Sequence, residues 1–126
     1  MIRLRHASLA LPALALLLAA SPPAEAQEHR ICVENRGGFV ISTQIRGMVP
    51  VGGTQRTEER VLGLQAGIPV AQGLCVTAPS GTTMVEILVR VFNGSDFLEA
   101  CRIRVQPVRA ITVTARGTTL QFSCTQ

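Results

Sequence analysis

The feature that most limits what this chain can fold into is a strict alternation over residues 84 to 92. Val85, Ile87, Val89 and Val91 form an unbroken β-branched series, with Met84, Glu86, Leu88, Arg90 and Phe92 in the positions between them. Successive strand side chains point to opposite faces, so this segment reads as a strand with one wholly apolar side, and that side belongs to a core. The same period of two runs from His29 to the end of the chain, broken by turn signals every 8 to 15 residues. This is the pattern of an all-β fold, and it predicts an antiparallel β-sandwich of seven or eight strands.

Local signals place the strands. Ile31 and Val33 alternate with Arg30, Cys32 and Glu34 in a first strand ending at Asn35-Arg36-Gly37-Gly38, where two glycines allow a reversal into a hairpin partner over 39–45. Residues 47–57, GMVPVGGTQRT, read as a loop containing Pro50, Gly52 and Gly53, followed by a weakly specified edge segment over 59–64. A strand over 73–78 carries Cys75, and Asn93-Gly94 predicts a type I′ hairpin joining strand 84–92 to strand 97–105. On the returning strand, alternation places Phe97, Glu99, Cys101, Ile103 and Val105 on one face and Arg102 and Arg104 on the other. Further strands are expected over 110–115 and 118–124, with Leu120, Phe122 and Cys124 facing one side.

The first 26 residues have a different character. Arg3 and Arg5 precede an apolar run from Leu9 to Ala20, and Ala24-Glu25-Ala26 is a small-x-small cleavage site, so a signal peptide over 1–26 and a single β-sandwich domain over 27–126 are expected. The apolar run is shorter than the ~20 residues a transmembrane helix needs, and Pro12 interrupts it. A secreted or periplasmic destination follows. No transmembrane segment is expected in the mature chain.

Four cysteines, Cys32, Cys75, Cys101 and Cys124, fall after the cleavage site, at separations of 43, 26 and 23 residues. Structural zinc sites bring ligands in close pairs, which these spacings lack, whereas an even cysteine count in an exported chain reads as disulfides. Three connectivities are open. Shorter loops favour Cys32 with Cys75 and Cys101 with Cys124 over Cys32 with Cys124 and Cys75 with Cys101.

The inventory for catalysis is poor. His29 is the only histidine after residue 26 and stands near the expected new N-terminus, and no Ser has a G-x-S-x-G setting. Glu58 and Glu59 are adjacent and in a strand would point to opposite faces, so they cannot form a paired acid and base; Glu86 and Asp96 have no partner at working spacing. Gly52-Gly53-Thr54 lacks the Lys of a phosphate loop, and no metal or cofactor site is expected. The absence of Trp and Tyr argues against base-stacking surfaces, and ten Arg against seven carboxylates after residue 26 give only a modest positive excess, so nucleic acid is not an expected partner.

Asn35-Arg36-Gly37-Gly38-Phe39-Val40 near the start and Gly117-Thr118-Thr119-Leu120 before Cys124 at the end resemble small secreted bacterial β-sandwich domains of uncharacterised function. The resemblance implies the sandwich fold and carries no active-site residues. A non-enzymatic secreted or periplasmic protein, acting by binding or as an accessory structural element, is therefore the expected function. A protein inhibitor of a secreted enzyme is the alternative, and a small hydrolase stands behind both. The surfaces expected to meet an unknown protein or anionic partner are the loop with Pro50, Gly52 and Gly53, and the arginines Arg90, Arg102 and Arg104 on the solvent face of one hairpin.

Overall fold

The computed structural model describes residues 27–126. The expected signal peptide lies outside the described residues. Eight strands form in chain order: β1 (His29–Asn35), β2 (Ile41–Pro50), β3 (Thr57–Ile68), β4 (Gly73–Ala78), β5 (Met84–Phe92), β6 (Phe97–Val105), β7 (Ile111–Gly117) and β8 (Phe122–Thr125). They make two four-stranded sheets, a first with order β4-β1-β7-β8 and a second with order β3-β2-β5-β6. All neighbours are antiparallel except β1 and β7, which run parallel. The expected all-β sandwich is therefore present, with one parallel pair inside it.

The β5 alternation sets the core. Val85, Ile87, Val89 and Val91 are fully buried and face Ile31, Val33, Val113 and Ala115 of the first sheet. Both expected disulfides form. Cys32 and Cys75 sit directly opposite each other on β1 and β4, Cα atoms 4.1 Å apart, on the outer face of the first sheet. Cys101 and Cys124 join β6 to β8, the last strand of each sheet, with Cα atoms 6.1 Å apart. The first staple holds two strands of one sheet together and the second closes the sandwich along one side.

Five expectations need correction. The segment after Asn35 does not make a hairpin, because β1 and β2 belong to different sheets and 36–40 crosses between them. Gly37 serves that crossing by omission: a Cβ there would strike the buried ring of Phe39, which packs edge-to-face on Phe122 at 6.4 Å. The expected loop over 47–57 is shorter. Gly47 and Val49 continue the buried face of β2, Pro50 takes its last position, and only 51–56 forms the turn.

The third correction concerns β6. Cys101 pairs with Val89 but Glu99 pairs with Arg90, so Ala100 is an extra residue in a β-bulge. A bulge reverses the alternation beyond it. Glu99 and Phe97 consequently lie on the outer face with Arg90, rather than with Cys101. The hairpin at 93–96 forms as expected, yet only Gly94 has positive φ (104°), and Asn93 instead uses its Oδ1 to accept from the backbone of Ser95 and Asp96 at 3.0 and 2.8 Å. A type I′ turn needs positive φ at both central residues, so the expected turn type is not the one present. Finally, Leu120 does not face the core. Thr118 and Gln121 bond each other's backbone at 2.9 and 3.2 Å in a tight turn, β8 starts only at Phe122, and Leu120 projects from the turn.

Candidate functional site

Strand direction sorts the connections onto two ends. β1, β3, β5 and β7 finish at one end, so 36–40, 69–72, 93–96 and 118–121 cluster there; this end is called the tip. The segments 51–56, 79–83 and 106–110 lie at the opposite end.

The tip is organised from inside by Asn35, which is fully buried at the end of β1. Its Nδ2 donates to the carbonyls of Phe39 at 2.6 Å and Ile68 at 3.0 Å, and its Oδ1 accepts from the N–H of Gly37 at 3.1 Å. Its backbone also accepts from Ala71 and donates to Gln72, both at 2.8 Å. One side chain thus ties the β1–β2 crossing to the end of β3, and its backbone holds the β3–β4 loop. A polar group this deep is tolerable because every donor and acceptor is used.

Apolar side chains stand on the outside of the same end. Leu120 is 96% exposed and Val70, in the β3–β4 loop, is 53% exposed. Phe97 packs on Phe92 at 5.1 Å beside the 93–96 turn and remains 40% exposed. A leucine almost wholly in water does no packing work in the isolated domain. Leu120 was missed in the sequence because Arg116-Gly117 reads as the whole turn and the alternation from Thr118 as strand; the turn instead runs on to Gln121.

The outer face of the second sheet carries the expected arginines. Arg90, Arg102 and Arg104 all lie there, joined by Arg46 of β2. Arg102 is clamped: Glu99 accepts from its Nε at 2.9 Å and Glu86 accepts from its Nη1 at 2.8 Å, while Arg104 stands 3.9 Å from the other Glu86 oxygen. The two carboxylates, Glu99 first and then Glu86, hold the Arg102 guanidinium above its ordinary range. The bulge at Ala100 makes this clamp, since without it Glu99 would point away. Arg46 pairs with Glu59 at 2.7 Å. Arg90 has no carboxylate within 4.0 Å among the described residues.

Pro50, Gly52 and Gly53 are not gathered with the arginines of the outer face. They belong to the opposite end, where Val51 N–H donates to Arg56 at 2.8 Å and the Thr54 hydroxyl donates to Val51 at 2.7 Å, closing a compact turn. A cavity of about 550 Å³ lies at that end, lined by residues that include His29, Thr82, Pro107 and Val108. Of the four carboxylates weighed for hydrolysis, Glu59 bonds Arg46 on the outer face, Glu58 bonds Arg60 on the other side of β3, and Asp96 sits in the tip turn. Among the described residues no group of three or more His, Cys, Asp or Glu is placed to hold a metal. No helix there is long and apolar enough to cross a membrane.

No family model matches the chain, and no curated protein matches it in sequence. Solved structures do match in fold. Listeriolysin O superposes with a TM-score of 0.67 at 14% identity, over 79% of this chain and 22% of that one. The human-specific toxin intermedilysin gives 0.62 at 13% identity, again over 79% of this chain and 23% of the other. The membrane-binding domain of pneumolysin gives 0.65 at 11% identity, over 79% of this chain and 95% of that domain. The chain therefore spans less than a quarter of the whole toxins and matches a single domain almost end to end. At these identities the likeness establishes the fold that the chain shares with that domain.

Proposed function

We propose that this chain is an exported, non-enzymatic binding module that docks on a membrane surface through its tip. The observation that carries the reading is Leu120, a large apolar side chain held 96% exposed on a short, hydrogen-bonded turn. Val70 adds a second apolar contact at the same end. Support also comes from the fold shared with the membrane-binding domain of pneumolysin. Export is supported by the leader pattern and by two disulfides, which persist in oxidising compartments.

Magnitudes define the kind of binding. Burying a leucine completely stabilises by roughly 1.5–3 kcal/mol, and a half-exposed valine adds about 1 kcal/mol. That total is below what one myristoyl chain supplies, and such a chain gives only marginal, reversible anchoring. One copy of the module therefore binds weakly and reversibly, and stable attachment needs several copies or a second contact.

Sedimentation with phosphatidylcholine–phosphatidylserine vesicles tests the proposal. Leu120→Asp is expected to lower partitioning by at least about tenfold, the equivalent of the lost leucine contact. Equal partitioning of Leu120→Asp and the parent, with the fold intact by circular dichroism, would overturn it.

A further inference from the structure

We propose that the outer face of the second sheet contains a phosphate-binding site, formed by Gln44, Arg46, Arg90 and Arg102 above the side chain of Leu88. These residues, with Glu86, surround a cavity of about 240 Å³. The ladder explains how they converge. Gln44, Leu88 and Arg102 form one cross-strand row; Arg46 and Glu86 belong to the next row on one side, and Arg90 to the next row on the other. Leu88 is only 8% exposed although it points outward, so it forms an apolar floor beneath the guanidinium groups.

Charge is unbalanced in this cavity. The lining brings three guanidinium groups to one carboxylate, Glu86, which Arg102 and Arg104 share; Glu59 and Glu99 balance Arg46 and Arg102 from outside the cavity, so the four arginines of this face, Arg104 included, exceed its three carboxylates by one. Glu99 stands opposite Arg90 in the ladder, yet its carboxylate is drawn to Arg102. Among the described residues Arg90 is consequently the cation of the group with no carboxylate within 4.0 Å. Arg46 and Arg102 are the opposite case: their ion pairs hold them in position, and Arg46 spends only one of its five donors on Glu59. Fixed guanidinium groups that retain donors, next to one without a partner, are a preorganised receptor for an oxyanion.

The direction of the donors selects the anion. They come from three strands, β2, β5 and β6, and surround the floor rather than lining one side of it. A planar carboxylate presents two oxygens in one plane. A tetrahedral phosphate presents oxygens in several directions, which suits three guanidinium groups and a carboxamide. The phosphate can be carried by a soluble ester or by a lipid headgroup. Both present the same chemistry to the site.

The test is a titration of the isotopically labelled protein with inorganic phosphate at low ionic strength, where screening is least, reading arginine Nε–H signals by NMR. Saturable shifts are expected at Arg90, Arg46 and Arg102. Arg90→Gln should weaken binding by about tenfold, the loss expected for one charge-assisted contact, with Arg90→Lys in between. Arg109→Gln removes the same charge at the opposite end and should leave binding unchanged. Absence of saturation, or equal loss in Arg109→Gln and Arg90→Gln, would overturn the site. A second arm separates the sources: with a headgroup ligand Arg90→Gln also weakens binding to phosphatidylcholine vesicles, and with a soluble ester it does not. Leu120→Asp should leave the phosphate titration unchanged, so this site and the membrane reading can fail separately.

Discussion

Replacing Asn35 should damage the fold more than replacing any exposed residue, and the form of the damage can be worked out from its three side-chain hydrogen bonds. Asn35→Ala leaves the carbonyls of Phe39 and Ile68 and the N–H of Gly37 without their partner in a site closed to solvent. Each unsatisfied buried group costs ~1–3 kcal/mol, and partial relaxation brings the sum to about 3–5 kcal/mol. A domain of this size has a net stability of roughly 5–15 kcal/mol, so about a fifth or more of it is at stake. The midpoint of thermal unfolding should fall by about 15–25 °C at the usual slope for a domain of this length.

Asn35→Asp sharpens the argument because shape is kept and only the donor is lost. An ionised carboxylate would face two carbonyl oxygens, which favours the protonated acid and raises the folded-state pKa above its unfolded value of ~3.9. The folded state then holds the proton more tightly than the unfolded chain. The variant is consequently least destabilised below the unfolded pKa, and it loses stability as pH rises through the folded one. Urea unfolding followed by circular dichroism, which needs neither Trp nor Tyr, measures this as a difference from the parent at each pH. A pH-independent difference, or an Asn35→Ala loss below about 1 kcal/mol, would refute the role assigned to this side chain.

Two further outcomes follow from the packing. Closing loops of 43 and 23 residues should make the Cys32–Cys75 and Cys101–Cys124 bridges worth about 4 and about 3 kcal/mol in the chain-entropy model. Cys75 is exposed on the outer face of the first sheet whereas Cys101 and Cys124 pack against the core, so alkylation and mass spectrometry during a reductant titration should find Cys32 and Cys75 free first. Simultaneous release of all four thiols would contradict that order. Gly37→Ala should destabilise by about 1–3 kcal/mol, the range for overpacking, because the added methyl displaces the Phe39 ring; an unchanged urea midpoint would show that the ring has room.

How much of this was legible in the sequence depended on whether a feature is local. The strands over 73–78, 84–92 and 97–105 match their expected limits, because alternation and the turn residues at 79–81 and 93–94 specify them without reference to the rest of the chain. The cysteine pairing followed from loop length. What failed was non-local. Gly37-Gly38 has the composition of a hairpin turn, and only the assembled sandwich shows that the chain there passes from one sheet to the other. The bulge at Ala100 leaves no mark in hydrophobic alternation, yet it moves Glu99 to the arginine face and so produces the clamp on Arg102. Leu120 lay inside a continuous period-two pattern, and the paired backbone bonds of Thr118 and Gln121 are what remove it from the strand. Asn35 looked like a turn residue. Its role as a buried tie appears only when Ile68, 33 positions away in sequence, is placed beside it.

The most direct measurement uses the absence of tryptophan from the chain. A single Leu120→Trp substitution puts one indole on the tip turn, where its emission reports the polarity around that position alone. If the tip docks on membranes, phosphatidylcholine–phosphatidylserine vesicles should shift that emission to the blue, and Val51→Trp at the opposite end should stay unshifted. An unchanged Leu120→Trp spectrum at saturating lipid, or an equal shift at both ends, would contradict docking through the tip.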